Sequence, residues 1–144
     1  MAGQLKSIWI KRMKNGPMDA VEEASLLANK GLVNNADQGG KRQVTIIEEE
    51  AWSVLMDELH ASLNPSIRRA NIMVSGINLY ESRGEIIKIG PCKIKIYGET
   101  KPCERMEEAL PGLKDAMNYQ WRGGVYGIVL NDGKIKLGDE VTIS

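Results

Sequence analysis

Ile86-Ile87-Lys88-Ile89-Gly90-Pro91-Cys92-Lys93-Ile94-Lys95-Ile96-Tyr97-Gly98 is the stretch whose reading decides the fold class of this 144-residue chain. Gly90-Pro91 separates two β-prone arms, so the segment predicts a hairpin. In the second arm Cys92, Ile94 and Ile96 alternate with Lys93, Lys95 and Tyr97, which gives a strand one apolar and one wet face. The same texture recurs on both sides. Residues 5–13, with Ile8 and Ile10, predict a strand, as do Val44–Ile47 and Asn71–Leu79 with a bend at Gly76. Val125–Leu130, Asn131-Asp132-Gly133 and Lys134–Ile143 predict a last hairpin, since Asp-Gly is a strong turn signal. Three segments read as helical. In residues 18–31, Met18, Val21, Ala24 and Leu27 recur at near-helical spacing and Gly31 suits the stop. In Glu48–Leu59, Trp52, Leu55, Met56 and Leu59 form an amphipathic stripe expected to pack in the core. Residues 103–121 are broken at Pro111-Gly112. Strands in hairpins outnumber helices, so the expected class is mainly β, an antiparallel barrel or sandwich with a few inserted helices. The second half lacks the alternating crossover helices of a parallel βαβ fold.

Length and composition narrow the function. The length suits one domain, taken as residues 1–144, on a prior of about 150 residues per domain. Nineteen basic and nineteen acidic side chains give zero net charge, which argues against broad nucleic-acid binding. Two cysteines are too few for a disulfide scaffold or a four-cysteine zinc cage. No apolar h-region opens the chain and no apolar run is long enough to span a membrane, so the expected compartment is the cytoplasm, with both thiols reduced. Residues 33–43 read as a polar loop, and its Gly39-Gly40-Lys41-Arg42 is wrongly spaced for a P-loop.

The most informative chemistry lies in Thr100-Lys101-Pro102-Cys103-Glu104-Arg105. A strand ends near Gly98, and Pro102 suits the first residues of a helix. Cys103 thus falls at a helix start, where backbone N–H groups favour a thiolate and Lys101 and Arg105 add positive charge. Such a thiol can serve as a nucleophile, a sulfur carrier or a soft metal ligand. It can equally pack as a small apolar residue. Cys92, on an apolar strand face, reads as structural, and the pair does not form a CxxC motif. His60, the single histidine, has no partner placed near it by the sequence. Bases recur in loops, at Lys41-Arg42, Arg68-Arg69, Arg83, Lys101, Arg105 and Arg122, while acids cluster at Glu22-Glu23, Glu48–Glu50 and Glu107-Glu108. A neutral chain can therefore still present one cationic pocket for an anion.

The ordered set Gly31-Leu32, Arg42-Gln43-Val44-Thr45-Ile46, Arg69-Ala70-Asn71-Ile72, Gly76-Ile77-Asn78-Leu79, Ile89-Gly90 and Lys101-Pro102-Cys103 resembles the MOSC domain. This is the C-terminal domain of molybdenum-cofactor sulfurases, found also as small stand-alone bacterial proteins. The resemblance runs from about residue 5 to residue 143. It implies a β-barrel of mixed, largely antiparallel strands with a few peripheral helices. It implies further that Cys103 is the reactive cysteine, as catalytic group and as molybdenum ligand. Arg42, Arg69, Asn71, Thr100 and Lys101 would contact the molybdenum cofactor's pterin phosphate or shape its pocket. Relatives with bound cofactor reduce N-hydroxylated compounds; others are thought to carry sulfur on the cysteine. The implied partners are a pterin or other small molecule, with a sulfur donor or a molybdoenzyme for the carrier activity. Pyridoxal phosphate is not expected within this chain. The 33–40 loop departs from the family, having neither the Gly-Asp pair nor the histidine of many stand-alone relatives. The competing expectation is a non-enzymatic barrel module that binds a small anion or a protein partner, with Cys103 structural. The sequence leaves the oligomeric state open.

Overall fold

The computed structural model describes residues 2–144. The elements, in chain order, are β1 (Gly3–Lys11), β2 (Met18–Val21), β3 (Glu23–Leu27), β4 (Gly31–Leu32), β5 (Val44–Glu48), α1 (Glu49–Glu58), β6 (Ile72–Ser75), β7 (Ile86–Ile89), β8 (Cys92–Glu99), α2 (Glu104–Ala109), α3 (Leu113–Met117), β9 (Val125–Val129), β10 (Gly133–Lys136) and β11 (Glu140–Ile143). A 3-10 turn, Pro65–Arg68, precedes β6.

The β7–β8 hairpin forms as expected, with Ile89 opposite Cys92 and Ile87 opposite Ile94. From it the sheet runs β11-β7-β8-β9-β5-β6-β1, and β1 pairs back onto β11, so seven strands close a barrel. β1 is long enough to do two jobs along one edge. Gly3 and Gln4 pair with β11, while Ile8–Lys11 pair with β2, which hangs on the barrel as an extra strand. The fold is mainly β with few helices, as the resemblance implies. One pair, β5–β6, is parallel, joined through α1. The first half thus holds a single crossover unit within an otherwise antiparallel barrel.

The alternating residues meet inside. Leu5, Ile8, Ile46, Ile72, Ile87, Cys92, Ile94, Ile96 and Val129 belong to one buried cluster. A second cluster joins Trp52, Leu55 and Met56 of α1 to Met106, Leu113 and Met117 of α2 and α3. The Trp52 stripe is therefore core, and Trp52 Nε1 donates to Leu63 O at 3.1 Å.

Two expectations are overturned. The helix expected over 18–31 is instead β2 and β3. Ala24 and Leu26 are buried while Glu23 and Leu27 are exposed, a period of two that the three-residue spacing of Met18, Val21, Ala24 and Leu27 disguises. Partners decide the matter: β2 pairs with β1, and β3 pairs with β10 and β4 in a separate three-stranded sheet. Gly31, read as a helix stop, opens β4 at φ +125°, where a Cβ would lie 2.9 Å from Gln43 O. The expected last hairpin is also absent, because β9 and β10 belong to different sheets. Asp132 Oδ1 accepts from Ala28 N at 2.7 Å, and the Asn131 amide bridges Lys93 N and Pro91 O at 2.8 and 2.9 Å. Those side chains hold the chain open between the sheets instead of closing a two-residue turn. The strand expected over 71–79 is shorter than read, ending at Ser75 before Gly76 turns at φ +74°.

Candidate functional site

The residues just before β5, β6 and β9 and just after β8 converge on one cavity of about 280 Å³. Arg42 and Thr45 come from the entry to β5, and Arg68, Arg69 and Asn71 from the turn leading into β6. Gly123 precedes β9, and Thr100, Cys103 and Arg105 follow β8. Lys11 and Asp37 complete the charged lining as an ion pair at 2.7 Å. Five cationic side chains thus face one carboxylate. Among the described residues, none of the four arginines has a carboxylate partner.

Local structure explains each position. Cys103 is exposed and sits as the N-cap of α2, with φ −117° and ψ 177°, and its side chain makes no capping bond. Met106, one turn on, is buried against α1 and α3 and anchors that helix. Only six residues long, α2 has a small dipole. Positive charge at Cys103 therefore comes mainly from side chains rather than from the helix end expected from sequence.

Arg68 is 8% exposed, and its guanidinium spans two carbonyls: Nε donates to Gly123 O and Nη2 to Thr100 O, both at 3.1 Å. Burial pushes Arg68 down to about 10; the Cys103 sulfur opposes that shift and Arg42 adds to it. Arg69 follows in the left-handed conformation, φ 61°, and its Nη2 donates to Gly16 O at 2.6 Å. Burial and the neighbouring Arg105 lower its pKa, with Asp37 opposing. Arg42 lies over the Tyr126 ring, 5.1 Å from the centroid. Gly123 has no room for a side chain: a Cβ there would lie 2.4 Å from Thr100 O, the acceptor of Arg68.

The Asn71 side chain is saturated. Oδ1 accepts from Thr45 N and Thr45 Oγ1, and Nδ2 donates to Trp9 O and Asn35 Oδ1, all at 3.2 Å. Asn35 also accepts from Lys11 N at 2.9 Å, so the atypical 33–40 loop is stitched to the floor of the cavity. Thr100 is the opposite case. It is 5% exposed, and its Oγ1 has no hydrogen-bond partner. A buried hydroxyl left unpaired in native structure calls for an explanation, and a ligand in the cavity it lines is one.

Of the residues expected from sequence, Arg42, Arg69, Asn71, Thr100 and Cys103 come together here. Lys101 does not join them; it is exposed, outside the lining. Sequence reasoning names Arg68 and Arg105 only among the loop bases that could form a cationic pocket, and does not single out Lys11 or Asp37. The Arg68-Arg69 pair and the position of Arg105 beside Cys103 were signals for two of them; nothing local marks Lys11 or Asp37. Cys92 is fully buried, and its Sγ lies where a Cβ on Gly133 would come within 2.7 Å. Burial, with Asp139 and Asp132 nearby, raises its thiol pKa, as befits an inert core cysteine. His60 does not line the cavity. Among the described residues no helix is long and apolar enough to cross a membrane, and no three His, Cys, Asp or Glu side chains are grouped to hold a metal.

The strand ends of a seven-stranded barrel thus surround one exposed thiol with arginines. The chain belongs to the MOSC domain family, whose model matches residues 32–142. Its fold is similar to that of YuaD from Bacillus subtilis, at 19% identity and TM-score 0.82, covering 99% of this chain and 96% of that one. YiiM from Geobacillus stearothermophilus matches at 17% identity and TM-score 0.79, covering 99% and 75%. YiiM from Escherichia coli matches at 15% identity and TM-score 0.72, covering 98% and 69%. At these identities the likeness concerns the fold alone. No curated protein sequence matches the chain.

Proposed function

We propose that this protein binds molybdenum cofactor in the arginine-lined cavity, with Cys103 as the protein's ligand to molybdenum. The observation that carries the reading is the pairing of an exposed thiol with four arginines that lack carboxylate partners among the described residues, beside one buried, unpaired Thr100 hydroxyl. The MOSC family is linked to molybdenum-cofactor proteins, and the residues fit that group. A thiolate suits a soft metal, guanidinium forks suit a phosphate, and an orphan hydroxyl suits a polar ring edge. With no group of three metal-ligating side chains among the described residues, the remaining ligands would arrive with the cofactor.

When bound, the cofactor supplies the two-electron chemistry that reduces N-hydroxylated compounds. The chain's own residues bind and orient. Arg42 presents donors to the phosphate, and Arg69 adds positive charge beside it. Arg68, locked on Thr100 O and Gly123 O, holds fixed positive charge in the cavity that Cys103 lines. Thr100 Oγ1 donates or accepts one hydrogen bond inside the cavity. Asn71 spends its amide on Thr45, Trp9 and Asn35 and acts by holding the cavity's shape. Lys101 adds charge at the rim.

The exposure of Cys103 supports a second use of the same site. A thiolate open to solvent can attack the outer sulfur of a donor protein's persulfide, breaking its S–S bond and releasing the donor's thiolate; an acceptor thiolate then takes that sulfur in the same way and leaves Cys103 as thiolate. Purification from a cofactor-competent host, with metal, pterin and persulfide assays, tests both. The expected result is about one molybdenum per chain, lost in Cys103→Ala. Metal-free protein carrying a Cys103 persulfide supports the carrier activity instead. Protein with neither supports the plain anion-binding module.

A further inference from the structure

The cavity around Cys103 does not end at its arginines. Beyond Arg69 and Arg105 the surface continues into a groove of about 460 Å³, lined by Pro17, Met18, Ser66, Ile67 and those same two arginines. Met18, Arg69 and Arg105 line both spaces. The groove is a built feature. One wall is the Gly16–Met18 turn and the other is the 65–69 turn, where Asn64 Oδ1 accepts from Ser66 N at 2.9 Å. The Arg69 Nη2 bond to Gly16 O ties the two walls together.

The chemistry of the groove is specific. Its floor is apolar (Pro17, Met18, Ile67), while its inner end carries two guanidiniums with no carboxylate partner among the described residues. Arg69 spends one N–H on Gly16 O and keeps the others, and Arg105 is exposed with no hydrogen-bond partner in the described structure. Two adjacent cations without an ion-pair partner among the described residues attract one anionic group, and their planar forks match a carboxylate. A methionine thioether and guanidinium faces favour flat rings over bulky aliphatic ones.

We infer that this groove admits a planar aromatic or heteroaromatic carboxylate, its acid group held between Arg69 and Arg105 and its ring on Pro17, Met18 and Ile67, beside the Cys103 cavity. The inference rests on the proposed function in treating Cys103 as the reacting end of the path; the binding itself requires neither Cys103 nor the cofactor. The substrate class of this MOSC protein is then set by the groove, as a ring that carries a negative charge.

Calorimetric titration of the full chain with 2-naphthoate, 2-naphthamide and decahydro-2-naphthoate tests it. The flat carboxylate is expected to bind about tenfold or more tightly than the amide, the value of one charge-assisted contact. It should also outbind the puckered analogue. Arg105→Gln should weaken 2-naphthoate by about tenfold. Ser66→Glu puts a carboxylate into the groove on a side chain without hydrogen-bond duties, and should weaken it further. Equal binding of acid and amide, no saturable binding, or insensitivity to both groove variants would each overturn the inference. Molybdenum content of the same protein, purified from a cofactor-competent host, reports separately: metal-free protein that still binds 2-naphthoate refutes the cofactor reading and leaves the groove standing.

Discussion

Two buried polar side chains in one cavity have opposite environments. Asn71 makes four hydrogen bonds, whereas Thr100 Oγ1 makes none. Their substitutions should therefore separate. Asn71→Ala strands Thr45, Trp9 O and Asn35, and should cost about 3 kcal/mol in urea denaturation. Thr100→Val keeps the shape and removes an unpaired hydroxyl, so stability should stay within about 1 kcal/mol of wild type. If the hydroxyl serves a ligand, Thr100→Val should nonetheless lower molybdenum loading. A large loss of stability in Thr100→Val, or full loading, would count against that role. Cys103 and Cys92 divide the same way, one exposed among cations and one sealed against Gly133, so thiol reagents should modify Cys103 first in native protein.

Among the elements, α1 carries a titration that can be read out. Glu48, at its N-cap, accepts from Leu79 N at 3.0 Å. Burial raises its pKa above the ordinary 4.5, the Leu79 bond lowers it, and Glu50 raises it again. With the folded pKa above the unfolded one, its stabilising contribution is fully present below pH 4.5 and lost as pH rises through the raised value. At neutral pH the buried charge therefore opposes folding. Glu48→Gln, which retains an acceptor for Leu79, should raise Tm at pH 7, and the gain should shrink on acidification and vanish below about pH 4.5. Thermal melts across that range decide it; a constant gain would rule out Glu48 as the group.

The elements also show what local sequence could and could not carry. The β7–β8 hairpin and α1 were legible because their partners lie close in sequence and their apolar periods, two and 3.6, are clean. Residues 18–31 were misread because Met18, Val21, Ala24 and Leu27 also fit a spacing of three. What makes them strands is β1 on one side and β10, more than a hundred residues on, on the other. Asn131-Asp132-Gly133 has turn composition, yet its side chains bond to Ala28, Lys93 and Pro91.

At the scale of the whole molecule, closure rests on β11. It pairs with β7 through Val141–Ile143 and with β1 through Glu140 and Val141, and Ser144 exchanges two further bonds with Ile86. Removing residues 140–144 uncovers two strand edges and the buried core around Val141 together. Cooperative unfolding should be lost, with hydrogen exchange accelerated in β1 and β7 alike. Fast exchange confined to β7 would mean that the barrel survives without its last strand.

By itself the sequence determined the mainly β class, the apolar faces of its clear strands, the burial of Cys92, and the candidacy of Cys103 after Pro102 between two bases. It carried the family resemblance too. These are properties of alternation, turn chemistry and residue order, which act over a few residues. Only the tertiary structure decided that β1 would close on β11, and that four arginines from three segments would meet one thiol. It also decided that Asn71 would be spent on the frame while Thr100 was left free. Those outcomes depend on pairings between residues far apart in the chain, where burial and charge are set by what the fold brings near and not by what stands next in sequence.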